Sequence, residues 1–256
     1  MTPIHHAAAD GYKKQADAYA RGRPEYPQEA LDWLKDTLRL GPDRHVIDLG
    51  AGTGKFTRLL AATGAQVTAV EPVEAMRVEL AKLLPGVTAL AGTAEAIPLP
   101  DASLDAVVCA QSFHWFASPA SVAEIRRVLK PGGELVMVWN VRDESIGWVA
   151  ALTDVMTPHE GDAPRYYKGD WRRVFPAEGM GELLEQVFPY VHTGPAEHVV
   201  VDRVRSVSFI AALPAAQQAE VIAAVRRLIA ETPALAGGDE VSFPYRTVVY
   251  RCRKLA

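Results

Sequence analysis

The chain reads as an α/β protein: a seven-stranded, mostly parallel sheet with helices on both faces and a helical cap inserted after strand five. Three observations predict this. Between residues 45 and 139, short apolar runs alternate with helix-period stretches, five strands in about a hundred residues, and parallel strands require such crossovers. The first apolar run ends in a loop where three glycines alternate with small residues. A final alternating run, Phe243 to Cys252, reads as an added antiparallel strand. At 256 residues the chain can bury one large core and still carry a cap.

Taken in order, residues 1–27 hold few periodic apolar positions and read as an arm. It ends in Arg21-Gly22-Arg23-Pro24-Glu25-Tyr26-Pro27, whose prolines favour an extended path. The core is expected over residues 28–142. Pro27 opens a helix to Leu40 with Leu31, Leu34 and Leu38 on one face, and Gly41-Pro42 stops it. His45 to Leu49 is strand one. After the glycines, Phe56, Leu59 and Leu60 mark a helix that ends near Thr63-Gly64. Strand two runs to Glu71, and Pro72-Val73-Glu74 opens a helix with Met76 and Leu80 on its apolar side. Val87–Ala91 and Asp105–Ala110 are strands three and four. Ser118-Pro119 is an N-cap and first helical residue, with Val122, Ile125, Val128 and Leu129 facing inward. Lys130-Pro131-Gly132-Gly133 turns the chain into strand five, Glu134–Trp139.

The alternation then stops. Residues 143–190 mix helical patterns, prolines and aromatics and read as the cap. Residues 191–256 return to the sheet. Val199-Val200-Val201 reads as strand six, beginning there or as early as His192. Helices follow at Arg203–Ala212 and Ala215–Thr232, the second with Val221, Val225, Leu228 and Ile229 inward, and Gly237-Gly238 turns into the last strand.

Composition narrows the function classes. Hydrophobic residues at 49% and charged residues at 23% are ordinary for a globular protein. No run of about 18 apolar residues predicts a membrane span, and no basic-then-apolar leader is seen. A net charge of -4 argues against nucleic acid as partner. Cys109 and Cys252 have neither metal-type nor redox-type spacing, and no H-E-x-x-H or His/Cys cluster exists, so no metal is expected. A cytoplasmic protein acting on a small molecule fits, as monomer or homodimer.

The loop Asp48-Leu49-Gly50-Ala51-Gly52-Thr53-Gly54 sits between strand and helix, where glycines let the backbone approach a ligand and helix N–H groups face it. A phosphate loop fails: Lys55 is followed by Phe56, and Leu49 stands where the first glycine is needed. The dinucleotide fingerprint places its third glycine at 55, not 54. The third template, D-x-G-x-G-x-G with an acidic residue closing the next strand, is met by Asp48 through Gly54 and Glu71. There the sequence resembles the class I S-adenosyl-L-methionine (SAM)-dependent methyltransferases, a Rossmann-like fold. Glu71 ends the second strand, where it can accept hydrogen bonds from ribose hydroxyls.

Other stretches extend the resemblance. Tyr19 and Arg23-Pro24-x-Tyr26-Pro27 look like the Y-x3-R-P-x-Y-P arm of small-molecule (type 11-like) methyltransferases, which folds over the cofactor. Gly92-Thr93-Ala94-Glu95-Ala96-Ile97-Pro98 resembles a segment beside the adenine. Ala110 to Phe116, with His114-Trp115-Phe116, is similar to the branch that includes trans-aconitate methyltransferases. The resemblance implies SAM as cofactor, held by Tyr19, Arg23, Asp48, Gly50, Ala51, Gly52, Thr53, Gly54, Glu71, Pro72, Met76, Thr93, Ala94, Glu95, Gln111 and Ser112. Tyr26, His114, Trp115, Trp139, Asn140, Arg142, Tyr166 and Trp171 are the candidates to meet the acceptor. His114 is either a general base, its ordinary pKa being near neutrality, or a pocket wall. Arg142, Arg165, Arg172 and Arg173 either form a solvated face or grip an anion.

The function expected is methyl transfer to oxygen or nitrogen of a small molecule, carboxylates included. An NAD-linked oxidoreductase is disfavoured by the glycine spacing. A non-catalytic binding module is disfavoured by the intact loop and Glu71.

Overall fold

The computed structural model describes residues 22–256. Five parallel strands come first: β1 (His45–Leu49), β2 (Gln66–Val70), β3 (Thr88–Leu90), β4 (Leu104–Ala110) and β5 (Leu129–Arg142). β6 (Leu184–Gly194) and β7 (Val241–Arg253) follow, with β7 antiparallel to both β5 and β6. The spatial order is β3-β2-β1-β4-β5-β7-β6. The order reverses between β1 and β4, so a crevice opens beyond their carboxyl ends, where open α/β sheets bind ligands.

Helices cover both faces because alternate strand residues are apolar in both directions. Ile47, Leu49, Val107 and Cys109 pack on one side. Val46, Ala106 and Val108 pack on the other, under α1 (Gln28–Leu38) and α2 (Lys55–Ala61). Pro27 caps α1, and Arg39 ends it in the left-handed region at φ 52°. α3 (Glu74–Leu83) follows β2. α4 (Pro119–Val128) starts in the expected place: Ser118 and Ser121 form a reciprocal capping box, with Pro119 at the first helical position.

The later chain departs from the sequence reading. Strand six is Leu184–Gly194, not Val199–Val201. The three valines lie in a π-helical turn, Glu197–Asp202, and all three are buried. Gly194 ends the strand, and the Pro195 carbonyl accepts from His198 and Val199 N–H, starting a helical turn instead. Residues buried on every side carry no period, and β-branched composition alone mistook them for a strand. The insertion after β5 therefore spans residues 143–183. Its helix α5 (Gly147–Met156) packs with the valine turn, α6 (Arg203–Arg205), α7 (Ser208–Ala211) and α8 (Ala215–Glu231) into a second core over Phe243 and Tyr245 of β7.

Candidate active site

A cavity of about 660 Å³ opens at the crevice and runs from the glycine loop to the insertion. At one end β1 delivers Asp48 and the loop after it. Gly50 has φ +73°, and a Cβ there would sit 2.7 Å from Ser112 Cβ, so only glycine fits. Ser112 Oγ donates to the Leu49 carbonyl at 2.7 Å, tying the loops after β1 and β4 together. Glu71, at the end of β2, is buried and accepts from the N–H groups of Gly52 and Val73, each at 2.9 Å. Burial raises its pKa, and those two N–H groups oppose the rise. Each carboxylate oxygen keeps a lone pair for a ligand hydroxyl.

Asp48 is the more strained carboxylate. One oxygen accepts from Thr57 Oγ1 at 2.6 Å; the other is buried and has no hydrogen-bond partner. Burial pushes its pKa up to about 7, with the Glu71 charge adding and Thr57 opposing. A buried orphan oxygen beside a ligand cavity fits a ligand that brings a cation or N–H donor. Pro72, Val73, Met76 and the stretch Gly92–Glu95 wall this end, with Thr93 and Ala96 exchanging backbone bonds that hold the stretch in a turn.

The segment before α1 closes over the cavity. Arg23, Pro24 and Tyr26 line it. Tyr26 packs edge-on against Phe56 at 4.8 Å, Lys55 Nζ donates to the Arg23 carbonyl at 2.6 Å, and Arg23 donates to the Ser206 carbonyl at 2.8 Å. Asn140 Nδ2 donates to the Glu25 carbonyl at 2.8 Å, while Asn140 Oδ1 accepts from Thr247 at 2.6 Å.

The other end is cationic. Arg142 at the end of β5, Arg165 in the insertion and Arg203 of α6 all line it. Arg165 and Arg203 have no carboxylate within 4.0 Å among the described residues, and Arg142 has only Glu144, at 3.9 Å. The Nε atoms of Arg165 and Arg203 are buried without a partner. The Arg165 guanidinium lies 4.4 Å over Phe209 and 5.7 Å from Trp115. Burial, with neighbouring Arg203, lowers Arg142 to about 10. Burial also lowers Arg165 to about 10, opposed by Glu160 and reinforced by Arg23. The carboxylates nearby are already engaged: Glu160 with Lys168 at 2.6 Å and with the Tyr167 hydroxyl, and Glu144 with Thr153 at 2.8 Å.

Most residues singled out from sequence meet on this one cavity, and a few do not. Tyr19 lies outside the described residues. Gly54 is not on the cavity wall: it has φ +89°, and a Cβ there would strike Leu80 of α3 at 2.9 Å. Trp171 is not on the cavity wall. It is buried in an aromatic cluster with Trp139 at 4.8 Å and Tyr250 at 4.9 Å, where a large ring fills core space. Asn140 lines the cavity, but both ends of its amide hold other parts of the chain, so it positions the strap before α1. His114 lines the cavity with its Nδ1 accepting from Trp139 Nε1–H at 3.0 Å, and burial, with Arg165 and Arg23 nearby, pushes its pKa down to about 3. Arg172 and Arg173 point elsewhere, to Glu185 and Asp170. Arg203, Phe209, Lys55, Glu160 and Tyr167 line the cavity unforeseen. Arg203 and Phe209 fell in a stretch read only as a helix, and no local pattern marked them.

The fold and this crevice define a Rossmann-like nucleotide-cofactor enzyme. Comparison with known proteins narrows the class. A family described as a methyltransferase domain matches residues 47–137. An uncharacterised methyltransferase of Mycobacterium tuberculosis (strain H37Rv) is 42% identical over 234 residues, 91% of either chain. A methyltransferase-like protein of Schizosaccharomyces pombe is 36% identical over 246 residues, 95% of either chain. Among solved structures, a protein from Anaeromyxobacter dehalogenans assigned as a type II methyltransferase superposes with TM-score 0.67 at 26% identity, covering 91% of this chain and 98% of that one. The chain belongs to the methyltransferase family. It is a SAM-dependent methyltransferase.

Proposed function

We propose that the glycine-loop end of the cavity holds SAM and that the guanidinium end holds an anionic small-molecule acceptor. SAM supplies a methyl carbon already activated by the adjacent sulfonium. The protein's part is to orient the two ligands and exclude water. Glu71 accepts from the ribose hydroxyls, the orphan oxygen of Asp48 takes a cationic or N–H group of the cofactor, and Gly92–Glu95 flank the base. Arg142, Arg165 and Arg203 pair with the acid group of the acceptor, aromatic walls at Trp115, Tyr166 and Phe209 cover its body, and Arg23 and Tyr26 close the entrance.

The observation that carries this reading is the continuity of one cavity between an end with nucleoside-type walls and an end with guanidinium groups lacking close carboxylate partners. Half-buried cations without close counter-ions are costly, and an anionic ligand relieves that cost. Calorimetric titration with S-adenosylhomocysteine tests the cofactor half. Binding in the micromolar range, about -8 kcal/mol, is expected. No binding, together with clear binding of NAD, overturns the reading.

A further inference from the structure

We propose that His114, locked by Trp139, is a fixed hydrogen-bond donor that selects acceptor atoms carrying no proton. This rests on the reading of the cavity as a methyl-transfer site. An indole nitrogen can only donate, so the 3.0 Å contact from Trp139 Nε1 makes His114 Nδ1 the acceptor. In a neutral imidazole the single proton is then on Nε2. Trp139 cannot turn away. It is buried on β5 and wedged among Trp171 at 4.8 Å, Tyr166 at 5.0 Å and Tyr250 at 6.0 Å. The histidine is held as firmly, in the tight turn Phe113–Trp115 that follows β4, with Trp115 N–H bonded to the Ser112 carbonyl at 2.9 Å.

His114 lines the cavity, and its Nε2 makes no hydrogen bond among the described residues. With Nδ1 turned to Trp139, Nε2–H is the edge left for a ligand. The charged groups acting on the ring are Arg165 and Arg23, both cations. Protonation would add a third positive charge and set an Nδ1–H against the indole N–H. The ring therefore neither takes up a proton at Nδ1 nor has a free lone pair at Nε2.

The consequence is chemical. A group that must lose a proton to become nucleophilic, such as an alcohol or an ammonium, finds no base in His114. An oxyanion finds a donor. One lone pair of the acceptor oxygen takes the Nε2–H bond while another attacks the methyl carbon; the carbon–sulfur bond breaks, its electron pair stays on sulfur, and no proton moves. His114 thereby orients the nucleophile and sorts acceptors by their ionisation.

Nitrogen-detected NMR of histidine-labelled wild-type protein reads the tautomer without any acceptor. His114 should show its proton on Nε2 both at about pH 5 and at about pH 8, while an unperturbed histidine titrates between them. A proton on Nδ1, or titration of His114 in that interval, overturns the proposal. In transfer from labelled SAM to a panel of small organic acids, His114→Gln, whose amide can both accept from Trp139 and donate, should keep most of the wild-type rate. His114→Ala should lose about 10- to 100-fold. Equal loss in both variants, with a new alkaline dependence in neither, contradicts the donor role. S-adenosylhomocysteine should bind both variants as it binds the wild type. If the wild type itself fails to bind it, the methyl-transfer reading falls while the tautomer measurement stands.

Discussion

The glycine-loop end of the cavity is assembled from stretches that follow one another along the chain: Asp48–Thr53, Glu71–Val73 and Gly92–Glu95. The guanidinium end draws Arg142, Arg165 and Arg203 from a strand end, an insertion and a short helix far apart in sequence. The two ends also differ in how they are satisfied. Glu71 already holds two backbone N–H groups, so the glycine-loop end is held in place by the chain's own bonds. Arg165 and Arg203 keep buried Nε atoms with no partner. One end is organised by the fold itself, and the other leaves guanidinium Nε atoms without partners.

That contrast can be broken in four places, the largest effect first. Replacing Arg142 and Arg165 together by alanine should cost acceptor turnover about 3 kcal/mol, roughly 100-fold in kcat/KM, from lost charge-assisted bonds. Affinity for S-adenosylhomocysteine should not change, and chemical denaturation should show no loss of stability, since two half-buried like charges are gone. A matching fall in cofactor affinity would mean the two ends are not separate.

Glu71→Ala should weaken S-adenosylhomocysteine binding by about 2 kcal/mol in calorimetry, leaving acceptor affinity alone. Unchanged affinity removes Glu71 from the cofactor end.

Asp48 gives a pH signature. Its folded pKa, about 7, lies above the ordinary 3.8, so the folded state holds the proton longer than the unfolded one. Its contribution is fully present below the unfolded value and is lost as pH rises through about 7. Asp48→Asn should thus stabilise the cofactor-free protein at about pH 8 by about 1–2 kcal/mol and leave it little changed near pH 4, measured by urea unfolding. A loss of stability at the higher pH would show that the carboxylate is better satisfied than its orphan oxygen suggests.

The smallest effect is expected at Arg173, an exposed partner of Asp170 at 2.9 Å. Arg173→Ala should shift stability and turnover by less than about 0.5 kcal/mol. A large loss of turnover would place the anion grip elsewhere.

The same contrast explains what could be read in advance. Alternating strand and helix signals fixed the sheet from β1 to β5, and the spacing of Asp48, the glycines and Glu71 marked the glycine-loop end of the cavity, because each signal lies within a short window. Ser118 showed as a cap for the same reason. Arg203 and Phe209 reach the cavity only through the packing of α6 and α7 on the second core, which no local pattern records. Val199–Val201 misled because three consecutive buried residues have no polar phase. Trp171 was read as a ligand wall because its aromatic side chain looks alike in a core and in a pocket. His114 was visible as a residue but not as a donor, since its tautomer depends on Trp139, 25 positions away.

The most direct measurement is a methyl-transfer screen with labelled SAM, setting small carboxylic acids beside neutral phenols and amines, run on the wild type and on Arg165→Ala. Two groups at opposite ends of one cavity predict that the acids are labelled by the wild type and that Arg165→Ala loses most of that labelling while binding S-adenosylhomocysteine normally. Labelling of amines or phenols ahead of acids, undiminished in Arg165→Ala, would contradict an anionic acceptor held at the guanidinium end.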